Sequence, residues 1–87
     1  MITAYLKLDE IKEGMFSSED IIIVKDYQGE KQSGFFDKSY VHEEGLEVIV
    51  FNMMEDWAWV KPNGGYFCER DQGIPVHKSD LNGIRYG

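Results

Sequence analysis

The sequence contains a single cysteine, only two prolines and no long apolar run. Cys68 has no second cysteine to pair with, which excludes the intramolecular disulfides of small extracellular scaffolds. No stretch approaches the roughly 18 apolar residues that a membrane-spanning helix needs. Residues 1–5 also lack the basic segment and apolar run of a secretory signal. We therefore expect a protein of the reducing cytoplasm with no membrane contact.

Basic residues are scarce as well. Nine Lys and Arg residues face sixteen Asp and Glu residues, which gives a net charge of −7. Residues 1–30 and 31–60 each carry −4, whereas residues 61–87 carry +1. A field of this sign repels phosphate backbones and attracts basic surfaces. The composition therefore favours a basic protein partner and disfavours nucleic acid.

Aromatic side chains are plentiful, with two Trp, five Tyr and five Phe in 87 residues. A chain of this length has room for one core, so we expect a single domain over residues 1–87. Domains of this size have roughly 5 kcal/mol of stability to spare. Binding to a protein partner, or a homodimer interface, would increase this stability.

Apolar residues recur at intervals of two, which predicts a mainly β protein. Residues 2–8 alternate as a strand with one buried face, and the β-branched run Ile21–Val24 predicts a central strand. Residues 46–54 predict the longest strand, with both faces covered. Asp9 as an N-cap and Gly14 as a left-handed terminator predict a single helical turn after the first strand.

The pattern of the second half of the chain predicts β-hairpins. Trp57 and Trp59 share one face of a strand that ends at the turn signal Pro62-Asn63-Gly64-Gly65. Residues 66–70 are then expected to return antiparallel to it. Pro75 suits an edge strand, and residues 84–86 form a last strand after the polar turn at 78–80.

Residues 46–81 resemble SH3-type barrels: an apolar strand, an acidic turn ending in Asp56-Trp57, a hairpin at Asn63-Gly64, and then Gly73-Ile74-Pro75 before a short turn. The resemblance implies a small SH3-like antiparallel barrel of five or six strands, here with an added N-terminal strand. It also matches Tyr27, Trp57 and Pro75 to the aromatic groove of that family. SH3 domains have a tyrosine after the Ile-Pro pair, and Asp80 stands near that position here. The resemblance is therefore used to predict the barrel but not the binding of proline-rich ligands.

An internal similarity accompanies this resemblance. Residues 34–41 and 73–81 share a glycine, apolar residues and a Lys-Ser-x-aliphatic ending. Chance similarity is one explanation. If the similarity is structural, both segments are predicted to be a strand followed by a single turn.

No set of residues assembles a recognisable catalytic or metal site. Cys68 and His77 are a candidate for a nucleophilic dyad, but a lone cysteine between Phe67 and Glu69 is more typical of a small core residue. Two histidines without a metal-ligand spacing, and paired acids without a calcium-loop pattern, predict neither a metal nor another cofactor. We expect a protein that is not an enzyme.

The candidate binding residues combine aromatic side chains with paired acids. Of the four aromatic residues Trp57, Trp59, Tyr66 and Phe67, we expect two to pack in the core and the other two to form a protein-binding patch. The aromatic candidates could stack on bases, but their acidic neighbours favour a protein ligand. The predicted binding residues are Trp57, Trp59, Tyr27, Tyr66, Glu43, Glu44, Glu55 and Asp56. The sequence therefore predicts an acidic protein-binding module, of the inhibitor, immunity-protein or phage-antagonist kind. The alternative is a nucleic-acid-binding β-barrel with stacking aromatics.

Overall fold

The computed structural model describes residues 1–13, 18–64, 66–67 and 73–87. Strands dominate these residues, and their only helical segments are two 3₁₀ turns. The strands are β1 Ile2–Leu6, β2 Glu10–Glu13, β3 Glu19–Lys25, β4 Lys31–Asp37, β5 Val41–His42, β6 Gly45–Met53, β7 Trp57–Pro62, β8 Tyr66–Phe67, β9 Ile74–His77 and β10 Leu81–Tyr86. The 3₁₀ turns are Lys38–Tyr40 and Lys78–Asp80. The predicted mainly β class is confirmed.

The strands form two antiparallel sheets. One has the order β10-β1-β6-β7-β9, with β5 also paired to β6, and the other has the order β2-β3-β4-β8. In the part of the chain that the structure describes, no ladder joins the edge strands of either sheet. The two sheets therefore stay open there, and the predicted closed SH3-like barrel is not confirmed.

The core lies between the two sheets and consists of the inward-facing residues of their strands. Leu46, Val48 and Val60 are fully buried, and Phe36 of β4 packs edge-on against Phe67 of β8 with 5.2 Å between ring centroids. The alternation predicted for residues 2–8 and 46–54 holds on these inner faces. Phe51 departs from the prediction that both faces of β6 are covered, because its side chain is 49% exposed.

The helical turn predicted after the first strand is wrong. Residues 10–13 form the edge strand β2 paired with β3 instead. Asp9 does not cap a helix there: its backbone amide donates to Ile23 O over 2.9 Å, and its carboxylate pairs with Lys25 at 3.8 Å and Lys31 at 3.7 Å. Pairing with a neighbouring strand satisfies the backbone of residues 10–13, which an isolated helical turn would leave partly unsatisfied. Gly14 lies outside the described residues.

For the described residues 66–67, the predicted return against β7 is also wrong. β8 pairs with β4 in the other sheet, and β9 takes the place beside β7. Burial of Phe67 against Phe36 accounts for this choice, because an aromatic core pair stabilises the arrangement more than a short local hairpin does. Residues 68–70 lie outside the described residues.

The two halves of the chain repeat one arrangement. In each half, an antiparallel strand pair leads through a 3₁₀ turn into a further strand: β3, β4 and β5 in the first half, and β7, β9 and β10 in the second. The equivalent pairs are Glu19–Asp37 and Trp57–His77, Asp20–Phe36 and Ala58–Val76, Ile21–Phe35 and Trp59–Pro75, and Ile22–Gly34 and Val60–Ile74. The predicted pair of strand-then-turn units is therefore confirmed.

The repeated units are intertwined. The strand after each 3₁₀ turn pairs with the first strand of the other half, so that Val41 lies opposite Leu46 and Leu81 opposite Leu6. Leu6 and Leu46 are themselves partners in the β1–β6 ladder. An approximate two-fold axis between Leu6 and Leu46 relates the β1–β10 pairing to the β6–β5 pairing. Each half thus supplies the other with the partners for its backbone hydrogen bonds.

Candidate functional site

The candidate site lies on the outer face of β7. Successive side chains of a strand point to opposite sides. Ala58 and Val60 are fully buried in the core, which turns Trp57 and Trp59 outward, where both are half-buried. Their rings meet edge-on with centroids 6.0 Å apart. Burial of the small residues thus dictates the display of the large ones.

Neighbouring strands extend this surface on both sides. On β9, His77 lies opposite Trp57 and Pro75 opposite Trp59. On β6, the ladder register shifts between Val50 and Asn52, and the Phe51 ring stacks on Trp59 with centroids 6.4 Å apart. We call the surface formed by Tyr27, Phe51, Trp57, Trp59, Pro75 and His77 the aromatic face.

Gly73 lies against the Phe51 ring, and its lack of a side chain leaves room for that ring on the aromatic face. Gly73 has φ of +103°, a conformation that L side chains rarely adopt. A Cβ at this position would stand 2.6 Å from Val60 O and 2.9 Å from the Phe51 ring. The backbone of the chain therefore approaches the aromatic face as closely as glycine permits.

Tyr27 reaches the aromatic face from the other sheet. It lies in the turn between β3 and β4, where its amide donates to Pro75 O over 2.7 Å. Its ring lies 4.3 Å from the His77 ring and 6.0 Å from Trp57, measured between centroids. Tyr27 thus covers the β9 side of the face.

The turn that carries Tyr27 is organised by the buried carboxylate of Asp26, which is 2% exposed. Asp26 Oδ1 accepts from the amides of Gln28 and Glu30, both at 2.9 Å, and Oδ2 accepts from Gln32 Nε2 at 3.1 Å. A buried carboxylate with three donors is satisfied and holds its turn in one conformation. Asp26 is therefore a positioning residue for Tyr27.

Acidic residues border the aromatic face at the β6–β7 turn. Glu55 and Asp56 are both exposed, and Tyr27 Oη donates to Asp56 Oδ2 over 3.2 Å. This hydrogen bond and the charge of the carboxylate raise the pKa of the Tyr27 phenol above 10.0. Among the described residues, neither acid forms an ion pair, whereas Asp9 and Asp20 both pair with lysines. The negative charge beside Trp57 is left uncompensated there.

The other end of the face has a positive group. Lys61 Nζ lies 5.9 Å from the centre of the Phe51 ring, a cation–π distance. Lys61 lies five positions after Asp56, which precedes β7, so about 16 Å of extended chain separates the two residues. The face is therefore negative at the Trp57 end and positive at the Phe51 end.

The remaining predicted binding residues lie elsewhere. Glu43 and Glu44 are exposed in the turn before Gly45, at the opposite end of β6 from the β6–β7 turn. The length of this strand, about 26 Å, separates them from Asp56. The Tyr66 side chain lies outside what the structure describes, and its backbone pairs with Phe35 in the other sheet.

Phe51 and the contact of His77 with Tyr27 were not predicted as parts of the site. The sequence predicted that both faces of β6 are covered, but the exposure of Phe51 depends on which elements pack on the outer face, and the alternation within β6 contains no signal of that. His77 was considered only together with Cys68, which lies outside the described residues. Pro75 entered through the SH3 resemblance, and it lies on the aromatic face with Tyr27 and Trp57.

A second polar cluster surrounds Glu47 on the outer face of β1 and β6. Its carboxylate lies 3.4 Å from His42 Nε2 and accepts from Asn63 Nδ2. The His42 contact is a proximity without hydrogen-bond geometry, since Nε2 has no hydrogen-bond partner. A cavity of about 160 Å³ adjoins Glu47, and its lining consists of Thr3, Ala4, Tyr5, Glu47, Gly83 and Arg85.

The described residues contain no group of three His, Cys, Asp or Glu side chains placed to hold a metal ion. In the same part of the chain, no helix has the length and apolar character needed to span a bilayer. No protein-family model, curated protein or solved structure matches the chain. The geometry of the aromatic face is therefore the basis for a function.

Proposed function

We propose that the chain is a non-catalytic cytoplasmic module that binds a basic protein surface through the aromatic face. Inhibitors, immunity proteins and phage-encoded antagonists act in this way. The observation that carries the proposal is the display of Trp57 and Trp59 on an outer sheet surface beside Asp56, whose carboxylate forms no ion pair in the part of the chain that the structure describes. Half-buried tryptophans supply large contact area at small entropic cost, and they dominate the energetics of many interfaces.

The charge of the protein supports the same partner class. The chain carries a net charge of −7, and the acids at the β6–β7 turn form no ion pair with a lysine or arginine in the described residues. Such a surface accelerates encounters with basic proteins and repels acidic ones. The half-exposed Phe51 extends the contact area beyond the two tryptophans.

The internal repeat provides a matched test. Trp59 and Ile21 occupy equivalent ladder positions in the two halves, and both are half-buried on outer sheet faces. We expect a basic protein captured from the native host to lose at least ~10-fold in affinity for Trp59→Ala, in the range of hot-spot truncations. Ile21→Ala is expected to bind as the wild type does. Calorimetry with the purified partner measures both, and equal losses in the two variants contradict the proposal.

The second candidate function is nucleic-acid binding. Lys61 beside the exposed Phe51 ring favours it, because stacking platforms combine aromatic rings with basic groups. Glu55 and Asp56 oppose it at the other end of the face. Titration with single- and double-stranded oligonucleotides at low salt separates the candidates: a dissociation constant below about 10 μM that rises steeply with salt favours nucleic acid.

A further inference from the structure

We propose that the Trp57 end of the aromatic face receives one arginine side chain of the protein partner, with its guanidinium against Trp57 and paired with Asp56. This inference rests on the proposed function and specifies which chemical group that surface recognises. It is carried by three features that meet at this end: a carboxylate with a hydrogen-bond partner, two aromatic rings, and the lack of an ion pair to Asp56 among the described residues.

Asp56 has a hydrogen bond at its backbone and another at its carboxylate. Its own backbone carbonyl accepts from the Lys78 amide over 3.1 Å, and its Oδ2 accepts from Tyr27 Oη over 3.2 Å. A carboxylate has about four lone-pair positions, so the Tyr27 hydrogen bond leaves Oδ1 and one position of Oδ2 for another donor. A preorganised acceptor loses little conformational entropy when a ligand binds.

The rings beside this carboxylate suit a planar cation. Tyr27 and Trp57 lie 6.0 Å apart at an angle of 52°, and Tyr27 is anchored by its 2.7 Å amide hydrogen bond to Pro75. Tryptophan is the aromatic residue that binds cations best, and arginine stacks on ring faces while it donates two parallel hydrogen bonds to a carboxylate. The ammonium group of lysine is a compact point charge that cannot do both equally well.

The charges around this end of the face leave it open to a cation. Asp9 and Asp20 are neutralised by lysines at 3.7–3.8 Å, but Asp56 has no such partner in the described residues. Lys61 lies at the Phe51 end. In the first half of the chain, the positions equivalent to Asp56 and Trp57 hold Ser18 and Glu19, which provide no aromatic ring. The combination is therefore particular to the second half.

The experiment uses three peptides of the form Gly-Ser-X-Ser-Gly with blocked ends, in which X is arginine, lysine or citrulline. Citrulline has nearly the shape of arginine without its charge. Titrations are followed by the backbone and indole ¹H–¹⁵N NMR signals of the intact protein. We expect the arginine peptide to shift the Trp57 indole signal, with at least ~10-fold weaker binding of citrulline, because charge-assisted hydrogen bonds are roughly twice as strong as neutral ones. The lysine peptide is expected to bind at an intermediate strength.

Two variants with matched charge serve as the internal comparison. Asp56→Asn removes the proposed partner of the arginine, whereas Glu43→Gln removes the same charge at the far turn. We expect Asp56→Asn to weaken binding of the arginine peptide by about tenfold. Glu43→Gln is expected to weaken it by less than about twofold, since exposed charges a long way apart are screened. Tyr27→Phe keeps the ring and removes the hydroxyl, and it is expected to weaken binding by an intermediate factor.

Equal binding of the arginine and citrulline peptides, equal effects of the two charge variants, or shifts confined to other residues would each overturn the inference. Failure of the arginine inference can be distinguished from failure of the proposed function. If the partner depends on Trp59 but the peptides show no preference for arginine, only the arginine inference fails. If the arginine peptide binds at Trp57 but no protein partner depends on Trp59, the inference stands and the proposed function fails.

Discussion

The backbone amide of Tyr27 donates a 2.7 Å hydrogen bond to the carbonyl of Pro75. This bond joins the β3–β4 turn of one sheet to the edge strand β9 of the other. The repeat contains an equivalent contact with the halves exchanged. There, Tyr66, which follows β7 of the second half, pairs with Phe35 on β4 of the first half. Each half therefore sends the connection after its first paired strand across to the other half, and in the second half this contact completes the aromatic face.

Removal of the Asp26 carboxylate is expected to loosen this connection. Asp26→Ala leaves the amides of Gln28 and Glu30 and the side chain of Gln32 without their acceptor in a buried place, which costs about 2–3 kcal/mol of the free energy of unfolding. Urea denaturation measures the loss. Asp26→Asn keeps one acceptor oxygen and is expected to lose less.

Asp37→Ala is the matched control for Asp26. Asp37 also accepts from a backbone amide, that of Ser39, but it is exposed at the start of the first 3₁₀ turn. Water replaces the lost acceptor there, so a smaller loss of stability is expected. Equal losses in the two alanine variants would contradict the role assigned to the buried carboxylate.

A side chain at Gly45 is expected to disrupt the contact between the two halves. Gly45 has φ of +140°, and a Cβ there would collide with the backbone of Leu6 in the central β1–β6 ladder. Gly29, with φ of +82°, has no atom within 4 Å of such a Cβ. Gly29→Ala is thus expected to cost about 1–2 kcal/mol for backbone strain alone, and Gly45→Ala clearly more. Thermal denaturation compares the two, and similar losses would refute the collision.

Two phenylalanines separate core packing from binding. Phe67 is 1% exposed and packs on Phe36, whereas Phe51 is 49% exposed on the aromatic face. Phe67→Ala is expected to lower the free energy of unfolding by about 3–4 kcal/mol, and Phe51→Ala by less than about 1.5 kcal/mol. Affinity for the partner should fall in Phe51→Ala although the protein stays folded. A large stability loss in Phe51→Ala would mean that its ring serves the core.

The hydrogen bond between Tyr27 and Asp56 predicts a pH dependence at alkaline pH. The bond needs the phenolic proton, and it raises the pKa of Tyr27 in the folded state above 10.0. A group whose pKa is raised on folding stabilises the folded state below its unfolded pKa. This stabilisation is lost as the pH rises through the folded-state pKa.

Titration of Tyr27 by NMR, in the wild type and in Asp56→Asn, checks this assignment. The variant keeps an acceptor but removes the negative charge, so the pKa of Tyr27 is expected to fall towards 10.0. A Tyr27 pKa that is unchanged in Asp56→Asn would show that another group is responsible for the shift.

Part of the candidate site was predictable because it depends on strand alternation. Trp57 and Trp59 were assigned to one face, and Asp56 to the turn before them, from their spacing alone. The pattern alone did not decide which of the two faces is buried; the structure places Ala58 and Val60 in the core and leaves Trp57 and Trp59 half-buried outside it. The grouping of Glu43 and Glu44 with them did not follow, because a pattern of charges along a sequence contains no distance between turns.

The fold class, the strands β1, β3, β6 and β7 and the two strand-then-turn units could be predicted from the sequence, because they depend on side chains within a few residues of one another. The tertiary structure decided which strands pair. It placed residues 10–13 beside β3 and β8 beside β4, and it brought Tyr27 to Trp57. The physical reason is that alternation specifies which side of a strand is buried, whereas its partner is chosen by competition among all strands for backbone hydrogen bonds and core contacts.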